Sequence, residues 1–237
     1  MTTFDDVYPI STRKRTNMIT IKENSSDRFS LQFLFREAKV LSGTKKAIIL
    51  LHGVGRNEYD MFSLANQLPD DFLIISPRAN FVIANGKYAW YVVDFSTGKP
   101  IFNTEQETES REDITKFVKQ VKQIFDINEI YLGGFSQGAI MSYSIGLTNP
   151  KLLKGIVALS GRILAEIRPS IIMNADLQNL KIFVGHGLLD KTLPIHFAKE
   201  AFAYLENSGV QLSYHEYNMG HQITGAVIQD LNAWFAK

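Results

Sequence analysis

No cysteine occurs in the 237 residues, which excludes disulfides, thiolate nucleophiles and cysteine-ligated zinc. Excess charge is missing as well: 25 Lys and Arg stand against 24 Asp and Glu, a net charge of +1. That balance gives no electrostatic hold on nucleic acid or on anionic lipid, so the expected partner is a small molecule without strong charge. Long apolar runs are also absent. Stretches such as AIILL at 47–51 fall far short of the roughly 18 residues that a membrane-spanning helix requires. The opening MTTFDDVYPISTRKRT places acids ahead of any base and holds no apolar core of signal-peptide length. Arg13, Lys14 and Arg15 therefore read as a solvated patch, and the chain as a cytoplasmic protein without stable membrane insertion.

What is present is a regular alternation. MITIK (18–22) and FSLQFLF (29–35) alternate apolar and polar residues around the turn-forming ENSSD, so an antiparallel hairpin is expected to open the fold. After Gly43 the pattern changes to KKAIILLHG, DFLIISP, EIYLGGF, LKGIVALSG and LKIFVGHG, nearly continuous apolar runs that each end in glycine, proline or a polar residue. Such runs suit parallel strands covered on both faces. Helical stretches fall between them: EYDMFSLANQL (58–68), REDITKFVKQVKQIF (111–125) with one apolar stripe, and HFAKEAFAYLENSG (196–209). VQLSYHEY then reads as a strand and QITGAVIQDLNAWFAK as a closing helix. The order predicts one α/β domain over 1–237, a mostly parallel sheet flanked by helices. Two segments break the alternation: 79–108, aromatic and long for a connection, and ILAEIRPSIIMNADLQN (163–179), interrupted by Pro169.

EIYLGGFSQGAIM sets Ser136 where a strand gives way to a helix, between Gly134 and Gly138. A serine at such a corner is held in a strained turn that pushes Oγ above the sheet edge, and the next amide, of Gln137, opens a helix and faces the same space. The hydroxyl is placed to be a nucleophile. A phosphate-binding loop would need Lys-Ser or Lys-Thr after the second glycine, where Ala139 and Ile140 stand, and HGVGRNE carries Glu58 where a dinucleotide loop needs its third glycine. A serine needs a base, and the base an acid to fix its tautomer. His221 follows the strand VQLSYHEY just before the last helix and is the expected base. His215 and His196 read as structural or surface residues, and His52 and His186, in His-Gly pairs at strand ends, as loop-stabilising ones. Asp190, in HGLLDKTLP, is the expected acid. The order Ser136, Asp190, His221 then places nucleophile, acid and base at successive strand ends.

GGFSQGA, LHGVGRNE, VGHGLLDKTLP and NMGHQI together resemble the phospholipase/carboxylesterase family of α/β-hydrolases, which includes acyl-protein thioesterases and small bacterial carboxylesterases. The resemblance runs from about Lys46 to the C-terminus. It implies the same three roles for Ser136, Asp190 and His221, and an oxyanion hole from the amides of Gln137 and Val54. Met219 departs from it, standing where many relatives have glycine, and so does the segment 79–108. Phe81, Trp90, Tyr91 and Phe102 are expected to line or cover an acyl pocket, with satellite core packing as the alternative. Met173 and its apolar neighbours offer either a second wall or a homodimer surface. The function so implied is a serine hydrolase of carboxylic esters or thioesters that needs no cofactor or metal; the alternative is a non-catalytic ligand-binding protein of the same fold.

Overall fold

The computed structural model describes residues 28–40, 43–94, 101–173 and 175–237. In chain order it contains β1 (Phe33–Arg36), β2 (Lys46–Leu51), α1 (Glu58–Phe62), β3 (Phe72–Pro77), β4 (Phe81–Ala84), β5 (Lys87–Ala89), β6 (Val93–Asp94), β7 (Ile101–Phe102), α2 (Thr104–Ile124), β8 (Glu129–Phe135), α3 (Gln137–Thr148), β9 (Gly155–Leu159), α4 (Ala175–Gln178), β10 (Lys181–Gly187), α5 (His196–Leu205), β11 (Gln211–Tyr217) and α6 (Gly225–Phe235). The apolar runs become the strands of one sheet, ordered β1-β3-β2-β8-β9-β10-β11. All neighbours pair in parallel except β1, which runs antiparallel to β3. The second strand of the expected hairpin is thus present as β1, whereas MITIK lies outside the described residues.

Burial on both faces explains why these strands read as continuous apolar runs. One face packs α2, α3 and α5 through Ile114, Phe117, Val121, Met141, Tyr143 and Leu205. The other packs α1 and α6 through Met61, Phe62, Val227, Leu231 and Trp234. Helix α3 is buried from Gln137 to Leu147, so its sequence is apolar all round rather than striped.

Parallel pairing brings the carboxyl ends of β2, β8, β9, β10 and β11 to one edge. The tightest point there is the β8–α3 corner. A Cβ at Gly138 would stand 2.1 Å from the Leu51 carbonyl oxygen, and one at Gly134 would stand 2.5 Å from the carbonyl carbon of Gly138. No side chain fits, and the obstacle is backbone. Gly138→Ala should therefore destabilise the fold by at least about 3 kcal/mol, read as a fall in the chemical-denaturation midpoint. An unchanged midpoint would mean that the corner is looser than this packing implies.

The segment 79–108 forms two short antiparallel hairpins, β4–β5 and β6–β7, followed by the first turn of α2. Phe95 lies outside the described residues. The 163–179 segment carries a 3-10 turn at Ala165–Ser170 and the single turn α4.

Candidate active site

Ser136 sits between the end of β8 and the start of α3 with φ 56° and ψ −117°, left-handed backbone that a serine rarely adopts. Its neighbours hold it there: the Ser136 amide donates to Leu159 O on β9 at 2.9 Å, and its carbonyl accepts from Ile140 N at 3.1 Å. Gln137 opens α3, so its amide is among the first-turn N–H groups that find no partner inside the helix. The loop after β2 lies against the corner, since a Cβ at Gly53 would meet the Ser136 Cβ at 3.3 Å. Val54 follows and is 44% exposed.

Asp190 and His221 meet across two adjacent loops. His221 Nδ1 lies 2.7 Å from Asp190 Oδ2, while Asp190 Oδ1 accepts from the amides of Thr192 and Leu193, both at 2.9 Å. With the acid fully supplied with donors, Nδ1 carries the proton and Nε2 is left as the basic face. The His221 ring packs on Phe135, the residue preceding Ser136, at 4.6 Å between centroids. Backbone bonds staple the acid and base loops: Leu188 N to Tyr217 O at 2.8 Å and Leu189 N to Met219 O at 3.0 Å. Gly187 permits that approach, as a Cβ there would come within 2.4 Å of the carbonyl oxygens of Met219 and Gly220. Met219 is buried, and its sulfur accepts from the Thr224 hydroxyl at 3.6 Å.

Two other histidines brace loops at this edge, His52 the loop after β2 and His186 the acid loop. Ala79 N donates to His52 Nε2 at 3.1 Å, so His52 Nδ1 bears the proton and donates to Gly53 O at 2.8 Å. Burial holds the His52 pKa below its ordinary value, which keeps this tautomer neutral. His186 is fully buried beneath Asp190 and donates from Nε2 to Leu193 O at 2.6 Å. Burial lowers its pKa too, so it brings no positive charge to compete with His221 for the carboxylate. His215 lies in β11, bonded to Ser213 and stacked on Phe183, and His196 begins α5.

The aromatic candidates divide. Phe81 and Phe102 are partly buried, Phe102 against the Tyr91 ring at 5.3 Å. Trp90 and Tyr91 are only 1% and 2% exposed, which leaves them almost no surface to line a pocket; they are core residues. Trp90 instead ties two parts of the site together. Its indole N–H donates to His52 O at 2.9 Å, its amide donates to Gln137 Oε1 at 2.9 Å, and Gln137 Nε2 donates to Tyr91 O at 2.6 Å. The Ser110 hydroxyl satisfies the Trp90 carbonyl. Gln137 thus uses its side chain to clasp residues 90–91, and Trp90 holds the loop that carries Val54. The sequence signal for this was a long polar side chain in an otherwise apolar buried helix. Trp90→Phe should leave His52 O unpaired, lowering stability by about 1–3 kcal/mol. It should also reduce kcat about tenfold to a hundredfold, without moving acyl-length preference. A shift of that preference in steady-state assays would return Trp90 to the pocket wall.

Met173 is exposed and lines a surface hollow of about 320 Å³ with Gln178, Tyr204, Asn207 and Ser208, none of them a site candidate. Among the described residues there is no group of three or more His, Asp or Glu able to hold a metal ion, and no helix long and apolar enough to cross a membrane.

The chain is similar to known proteins over most of its length. The Phospholipase/Carboxylesterase family model matches residues 38–237. The acyl-protein thioesterase 1 of Saccharomyces cerevisiae is 27% identical over 224 residues, covering 85% of this chain and 96% of the yeast protein. That of Kluyveromyces lactis is 28% identical over 220 residues, with the same coverage of 85% and 96%. The crystal structure of the Bacillus cereus carboxylesterase superposes with a TM-score of 0.74 at 24% identity, over 87% of this chain and 93% of that one. With the family model matched over most of its length, the chain belongs to the phospholipase/carboxylesterase family of α/β-hydrolases.

Proposed function

We propose that the chain, as one domain over 1–237, hydrolyses carboxylic esters or thioesters through an acyl-enzyme on Ser136, with His221 as base and Asp190 as the acid that orients it. The observation that carries the reading is the 2.7 Å contact of His221 Nδ1 with Asp190 Oδ2, on the sheet edge where Ser136 is held in left-handed backbone. Ser136 Oγ attacks the carbonyl carbon as Nε2 of His221 takes its proton. The oxyanion that forms is met by the amides of Gln137 and Val54. His221 then protonates the leaving alkoxide or thiolate, and water repeats the sequence on the acyl-enzyme. Phe81 and Phe102 are the aromatic side chains left with surface to offer an acyl chain. Relatives named as acyl-protein thioesterases and a family model named for carboxylesterases support both leaving groups.

The test is hydrolysis of p-nitrophenyl esters of two to sixteen acyl carbons by the wild type and by Ser136→Ala in parallel. Activity abolished by the substitution supports the reading, and the chain-length optimum separates short esters from long acyl groups. No wild-type activity on any of these esters, or on the matching acyl thioesters, would favour the non-catalytic ligand-binding alternative.

A further inference from the structure

Among the described residues Arg162 has no polar partner for its Nε. It follows Gly161 at the end of β9, and Gly161 packs so closely on α3 that a Cβ there would stand 2.6 Å from the Cβ of Ala139, three residues after Ser136. The guanidinium lies over the ring of Phe197 at 5.2 Å, at the start of α5 and just beyond the acid loop. Its charge also reaches Tyr91, the residue clasped by Gln137, where it opposes the burial that pushes the phenol up. Arg162 is therefore bracketed by the nucleophile's helix, the clasped segment and α5, on the edge that carries Ser136.

The side chain is partly buried and its Nε is enclosed, yet Nε finds no acceptor. Among the described residues Arg162 forms neither a hydrogen bond nor an ion pair. Other arginines do: Arg36 donates to the carbonyls of Ala65 and Pro69, Arg78 to Glu58 and Gln32, and Arg111 to Glu107. The carboxylates whose fields reach Tyr91 are Glu107 and Glu166; Glu107 is engaged by Arg111 at 3.5 Å. An enclosed donor without an acceptor is costly and calls for an explanation. A guanidinium, planar and permanently charged, suits a carboxylate above other acceptors.

We propose that Arg162 is an anion subsite of the hydrolytic centre, binding a carboxylate carried by the substrate. This rests on the esterase reading of the same edge, and it refines the expectation of an uncharged substrate: a net charge near zero says nothing of one unpaired cation on the sheet edge that carries Ser136.

The experiment compares kcat/KM for mono-p-nitrophenyl adipate and p-nitrophenyl hexanoate, equal in acyl length but differing in the terminal carboxylate, in wild type, Arg162→Gln and Arg162→Lys. A second arm compares 4-acetoxybenzoate with its methyl ester, which moves the carboxylate to the leaving group. Arg162→Gln should lower the charged-to-neutral ratio about tenfold in one arm, with Arg162→Lys restoring part of it, and the arm that responds tells which half of the substrate carries the anion. Ratios unchanged within twofold in both arms would overturn the subsite, because a purely structural role for Arg162 would affect charged and neutral esters alike. Adipate should also raise the Tm of the Ser136→Ala protein, and adding Arg162→Gln should abolish that rise. This readout needs no turnover, so a missing shift counts against the subsite while missing hydrolysis counts against the esterase reading.

Discussion

Ser136→Ala lowers kcat for p-nitrophenyl esters about 10⁶-fold while leaving the fold intact. Both residues carry a Cβ, so the strain of φ 56° is unchanged by the substitution. Ser136 is bound to its neighbours through the backbone, its amide to Leu159 and its carbonyl to Ile140, and those bonds survive. Loss of turnover with an unshifted unfolding transition is then loss of the nucleophile alone. Activity within tenfold of wild type would sink the assignment.

Asp190→Asn is expected to cost about 10⁴-fold in kcat, by a different route. The carboxylate now accepts two backbone amides on Oδ1 and the His221 Nδ1–H on Oδ2. In asparagine the carbonyl oxygen keeps the two amides, and the NH₂ group is left facing His221. Nδ1 must then accept rather than donate, which moves the ring proton to Nε2, the nitrogen that should take the serine proton. Geometry persists while the tautomer inverts. A loss below tenfold, with circular dichroism matching wild type, would show that His221 does not depend on Asp190 for its tautomer.

Much of the fold was legible because each parallel strand is an apolar run with an abrupt polar or glycine end, and those ends carry the candidate site residues. Ser136, Asp190 and His221 could be picked out for that reason. Helix lengths were harder to read. The expected helix 58–68 stops as α1 at Phe62 and resumes as a 3-10 turn at Ala65–Gln67. Beyond it, buried Arg36 on β1 takes the carbonyls of Ala65 and Pro69, a contact with no local sequence signal. Helix α2 begins seven residues before Arg111, at Thr104, capped by Asn103, whose side chain accepts from Gln106 N. Its first turns are polar, so no apolar stripe marked them, although Asn103 followed three residues later by Gln106 is a capping pattern. The clasp was hidden more deeply still. Its bonds join residues 38, 46 and 47 positions apart, and periodicity carries no information over such spans.

That clasp bears on how such a site diversifies. Gln137 grips main-chain atoms of residues 90 and 91, and the indole of Trp90 grips a main-chain carbonyl in turn. The clasp therefore fixes the backbone position of residues 90 and 91. The bonds made by the Gln137 side chain and the Trp90 indole reach no residue beyond 91, so they place no direct demand on the sequence after it. The architecture separates the part of the chain that must stay fixed for hydrolysis from the part that can drift towards new substrates, and it places the boundary at a single tryptophan.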